Sequence, residues 1–142
     1  MNYVEIMNGT DWMKILTERV IYHCIEELMP RMRTLDITVE FSSDMGETAG
    51  AVLEIDKRMF EIELSEFLGF DELIKTVCHE MVHVKQYARG EMKAENIDTV
   101  LWRNEEVASD LANYYEFPWE VEAYEMEVIL FESFLKKYPG CS

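Results

Sequence analysis

The sequence predicts a single α+β domain over residues 1–142, and three observations carry that prediction. Apolar residues recur with helical spacing over 11–29. They alternate with polar ones over 37–41 and 59–64, as in strands with one wet face. No Pro/Gly-rich linker, internal repeat or low-complexity tract divides the chain. At 142 residues and 49% apolar content, it is long enough to bury one core and too apolar to be disordered.

The first helix is expected from Asp11 to Met29, capped by Thr10 or Asp11 and ended by Pro30. Trp12, Leu16, Val20 and Cys24 recur every fourth residue, and Ile15, Ile21, Ile25 and Leu28 widen that face. His23 lies within it and reads first as a satisfied helix histidine. A strand follows at Ile37–Phe41, then a polar loop from Ser42 to Gly50 and a second strand at Ala51–Ile55. Asp56-Lys57-Arg58 makes a tight connection to a third strand, Met59–Leu64. There Phe60, Ile62 and Leu64 face one way while Glu61 and Glu63 face the other, which suits a sheet edge. The next helix starts at Phe70 or Asp71 and stops at Gly90, with Lys85 and Arg89 near its C-terminal end. Between Glu91 and Phe117 the pattern is mixed. A short strand is expected at Thr99–Arg103, and a short helix or ordered loop over 105–117. Pro118 fits the first turn of a last helix, where its missing N–H costs nothing, and that helix runs to about Lys137 before Pro139-Gly140.

The chemistry concentrates in His79-Glu80-Met81-Val82-His83. Histidines four apart share one helix face, so two imidazoles can grip one metal ion, with Glu80 beside them to take a proton from water. Thr76, Val77, Met81, Val82 and Val84 surround them, and Glu80 is the only charge between 76 and 84. The competing reading is a chance match on a core helix holding two hydrogen-bonded histidines. A catalytic zinc takes three protein ligands and keeps a fourth position open. The two positions three and six residues past His83 hold Gln86 and Arg89, and His23 is the only other histidine. The third ligand is therefore expected to be a carboxylate on a later helix, within Pro118-Trp119-Glu120-Val121-Glu122-Ala123-Tyr124. Helical phase puts Glu120 on the face of Ala123 and Tyr124, where a small residue lets two helices approach. It turns Glu122 away, leaving it the alternative.

HEMVH followed by a helix bearing ExxA resembles the small zincin-type metallopeptidases with a glutamate third ligand, the gluzincin arrangement. It is most similar to the SprT-like and ImmA-type members of phage and bacteria. The resemblance implies a minimal zincin-like domain: N-terminal helix, three-stranded sheet, HExxH helix and C-terminal helix. It also implies Zn2+ held by His79, His83 and Glu120, with Glu80 as catalytic base, and places the Met59–Leu64 edge strand beside the cleft. Two positions depart from the pattern. Lys85 stands where an apolar residue is common, and Tyr124 where Asn or Asp often orients a ligand histidine. Tyr87, Tyr114, Tyr115 and Tyr124 are candidates, by type alone, for stabilising an oxyanion.

Composition bounds the partners. The formal charge of −16, from 29 acidic and 13 basic residues, disfavours nucleic acid and anionic membranes and favours a neutral or basic peptide or protein substrate. No apolar run approaches the roughly 18 residues that span a bilayer. Cys24, Cys78 and Cys141 lack C-x-x-C spacing, which argues against a disulfide scaffold or zinc ribbon and for a reducing, cytoplasmic setting. Cys141 is expected to be exposed. The expected function is zinc-dependent peptide hydrolysis. Its rival is an acidic binding or regulatory module of the same fold, whose metal is not catalytic.

Overall fold

The computed structural model describes residues 1–96, 99–108 and 111–139. In chain order the elements are β1 (Tyr3–Met7), α1 (Asp11–Leu28), β2 (Asp36–Ser42), β3 (Gly50–Asp56), β4 (Met59–Ser65) and α2 (Phe70–Ala88). There follow β5 (Met92–Asn96), β6 (Thr99–Trp102), β7 (Glu105–Ala108), a 3-10 turn (Leu111–Glu116) and α3 (Pro118–Lys137). The class is α+β, as expected, with two sheets instead of one. Cys141 and Gly140 lie outside the described residues.

The first sheet has four strands in the order β1-β2-β4-β3, with β1, β2 and β4 parallel and β3 antiparallel to β4. Two expectations are corrected here. Tyr3–Met7 forms a strand ahead of the first helix, so the sheet has four strands and not three. Val4 and Ile6 point inward, and the strand gains its ladder only by pairing with β2. The Met59–Leu64 strand is interior rather than an edge: β4 lies between β2 and β3. Glu61 and Glu63 mark the solvent face of a one-sided sheet, since Phe60, Ile62 and Leu64 are fully packed on the other. The edge strands are β1 and β3.

All three helices contribute to one core against that inner face, with Val20, Ile21, Cys24, Ile74, Val77, Cys78, Ala123 and Phe134 buried in it. The α1 face is rotated from the expected one. Met13, Leu16, Thr17 and Val20 pack inward, while Trp12 and Ile15 are exposed. His23 is buried, bonded through Nε2 to Ser133 Oγ at 2.8 Å and packed on the Phe134 ring, and takes no part in the site below. The second sheet, β5-β6-β7, is an antiparallel meander with its own small apolar cluster of Met92, Phe117 and Trp119. Only β6 was expected; the 3-10 turn fills part of the segment read as a short helix or loop.

Candidate metal centre

Helix α2 carries the site because both of its ends are closed. At the start, Glu72 Oε1 accepts the Gly69 N–H at 3.2 Å and Leu73 N–H reaches Gly69 O at 2.9 Å. At the end, Gly90 adopts a left-handed φ of 72°. Its N–H bonds Tyr87 O at 3.0 Å while Glu91 N–H returns to Gln86 O at 2.8 Å, a double C-terminal closure that glycine makes without strain. His79, Glu80 and His83 are all buried, and the imidazole centroids stand 5.0 Å apart.

Helix α3 brings Glu120 to both histidines. Its Oε1 lies 3.1 Å from His79 Nε2 and its Oε2 lies 3.2 Å from His83 Nε2. Ala123, one turn on, is fully buried, as close approach of α3 to α2 requires. Glu122 points elsewhere: its carboxylate accepts from Lys85 Nζ at 2.8 Å, Gln86 Nε2 at 3.0 Å and Arg103 Nη2 at 3.0 Å. The unexpected Lys85 is thus a tie, also 2.8 Å from Glu91.

Each imidazole is held from behind through Nδ1. His79 Nδ1 lies 2.8 Å from Glu127 Oε1, and His83 Nδ1 lies 2.8 Å from Gln86 Oε1. The Gln86 amide has one possible orientation, because its NH2 donates to Trp119 O and to Glu122 at 3.0 Å each. Its oxygen therefore faces His83, which must donate from Nδ1. Both Nε2 atoms are thereby aimed at Glu120. Ligand histidines are commonly oriented by such partners, and Gln86 and Glu127 were not assigned that role from sequence. Position 124, where the resemblance suggested an orienting group, instead lays the Tyr124 ring 4.5 Å from the His79 ring.

The charges are strongly coupled. Burial lowers the basicity of His79, but the carboxylates of Glu120 and Glu127 outweigh it and hold the imidazole up to about 9. His83 is raised in the same sense: burial opposes, and Glu120 prevails. Burial raises Glu120, yet the two imidazoles bonded to it hold it down to about 2. Glu80 is pushed up by burial, with His83 and His79 pulling the other way. Tyr114 is also raised, by burial first and then by Glu120, which its hydroxyl contacts.

His79, His83 and Glu120 form a buried group that could hold a metal ion, with one ligand atom from each inside a 4.8 Å span. Zinc bonds nitrogen and oxygen at ~2.0–2.1 Å, and each imidazole Nε2 lies beside a different oxygen of Glu120. Two neutral imidazoles and a carboxylate are also the donor set of an open three-ligand zinc site. The group faces a cleft whose two halves meet at Glu80. Gly50, at the start of the edge strand β3, is pressed against the same wall. A Cβ there would lie 2.8 Å from Thr76 Cγ2 and 3.3 Å from Glu80 Cγ.

The structure thus brings together all four residues expected at the site, Glu120 rather than Glu122 among them. No helix among the described residues is long and apolar enough to cross a membrane. No protein-family model, curated protein or solved structure matches this chain.

Proposed function

We propose that the protein is a zinc-dependent metallopeptidase of zincin-type arrangement. The observation that carries this reading is the convergence of two imidazole Nε2 atoms and Glu120 beside the buried carboxylate of Glu80, at the floor of one cleft. When bound there, zinc would lower the pKa of a coordinated water towards ~7 and polarise a carbonyl. The chain supplies the rest. His79, His83 and Glu120 hold the ion, while Glu127 and Gln86 fix the rings. Glu80, raised by burial, takes a proton from the attacking water and passes it to the leaving amine. Tyr114, whose hydroxyl already reaches Glu120, is the candidate donor to the developing oxyanion.

Glu80→Gln tests the reading directly. Zinc content should stay near that of the wild type while peptide hydrolysis falls by ~10²-fold or more. Hydrolysis that survives the substitution would remove Glu80 from the reaction. Wild-type protein that binds zinc but cleaves nothing would favour the acidic binding module with a non-catalytic metal.

A further inference from the structure

The two halves of the cleft are chemically unlike. On the His79 side the walls are Thr76, Tyr115, Tyr124 and Glu127, with Thr48 and Tyr114 shared by both halves. On the His83 side they are Val52, Tyr87, Met92, Val100, Phe117 and Trp119. Glu80 belongs to both, so a carbonyl attacked there has one neighbouring residue in each half. A large apolar side chain in the first half would meet the Tyr115 and Tyr124 rings only by stripping water from their hydroxyls, Thr76 and Glu127. In the second it would cover the half-buried Val52, Tyr87 and Val100, which lie over the buried Met92, Phe117 and Trp119. That half encloses about 420 Å³, ample for one such side chain.

Its wall has a separate origin. Met92 lies on β5 and Val100 on β6, both in the second sheet, whereas the metal-holding residues lie on α2 and α3. Met92, Phe117 and Trp119 are buried against one another, and Val100 is only half-buried, packed on them. A half-buried valine on a formed apolar wall is placed to be covered by a ligand.

Resting on the peptidase reading, we infer that the second sheet is the specificity element of this enzyme. With Phe117 and Trp119 it selects polypeptides that place a large apolar side chain, Leu, Met or Phe, beside the bond presented to Glu80.

The test uses the full, zinc-loaded chain and a peptide series of one sequence, varied to Leu, Phe, Gly or Asp at each position flanking the cleaved bond. At one of those positions, kcat/KM for Leu or Phe should exceed that for Gly by about tenfold or more, as expected for filling an apolar pocket. Val100→Asp should erase that preference, lowering the Leu and Phe values about tenfold and leaving Gly within about twofold. Val100→Ile should keep it. Binding of the same peptides to zinc-loaded Glu80→Gln, followed by calorimetry, should rank them in the same order. Cleavage with no apolar preference, or Val100→Asp slowing every peptide alike, overturns the specificity role and leaves the peptidase reading standing. Apolar-selective binding without cleavage by the wild type retains the selective wall and overturns the peptidase. Neither binding nor cleavage overturns both.

Discussion

His79 and His83 stand one turn apart on the same helix and aim Nε2 at the same carboxylate, yet they are held from behind by different chemistry. Glu127 backs His79 with a charge, partly open to solvent. Gln86 backs His83 with a neutral amide, fully buried and tied at once to His83, Trp119 and Glu122. A charged partner tunes how readily a ring gives up its proton, whereas a neutral partner locked in a network fixes where the ring points. One imidazole is tuned and the other is clamped.

Substitutions can separate these two roles, and the largest effect should come from the group the histidines share. Glu120→Ala should lower zinc from about one per chain to almost none in protein purified without chelator, while Glu122→Ala retains it; elemental analysis decides. Gln86→Leu comes next. It strips partners from His83 Nδ1, Trp119 O and Glu122 together, and should cost about 1–3 kcal/mol in urea unfolding of the metal-free chain. Zinc affinity, read by chelator competition, should also fall about 10–100-fold. Glu127→Gln keeps an acceptor and removes the charge. Zinc should weaken by about tenfold, and the unfolding midpoint at pH 6 should fall by less than in Gln86→Leu, because part of what holds His79 protonated is gone. Equal stability losses from the Gln86 and Glu127 variants would end the distinction between clamp and tuner.

A further effect lies in pH. His79, held at about 9 against an ordinary 6.5, contributes stability that is complete below 6.5 and lost as pH rises through 9. Glu120, held at about 2 against 4.5, contributes stability present above 4.5 and lost as pH falls through 2. The metal-free chain should therefore be most resistant to urea between pH 4.5 and 6.5 as far as this pair decides. Its decline between 6.5 and 9 should shrink in Glu127→Gln. Zinc must displace the protons that the carboxylates hold on the imidazoles, so its uptake should release protons and tighten as pH rises.

Much of this site was legible because helical phase is arithmetic. His79 and His83 had to share a face, and Glu120 but not Glu122 had to share one with Ala123. Glu127 was legible by the same arithmetic, seven residues beyond Glu120, although the family resemblance points to an orienting group next to Ala123 and not two turns along. Gln86 gave no signal, since a buried amide in a helix acquires its role only from groups 33 and 36 residues away. In the fold, the helices came within a residue or two of their expected ends. The strands were harder. β4 carries the same alternation as an edge strand would, and which neighbours flank it is decided by β1 and β3. In the second sheet the unexpected strands, β5 and β7, are only four or five residues long and carry Lys93, Glu95, Glu105 and Glu106, and the sheet's apolar partners, Phe117 and Trp119, come from beyond it.

His79 and Glu120 are 41 residues apart in sequence, and the whole second sheet lies between them. A bond through a shared ion would shut that stretch into a ring. For a covalent link of this span, the loss of chain entropy in the unfolded state amounts to about 4 kcal/mol. The ion would then be a staple as well as a reagent, and removing it would release the strands that wall the apolar half of the cleft. Chelation would therefore expose this stretch of the chain to proteolysis before the four-stranded sheet gives way.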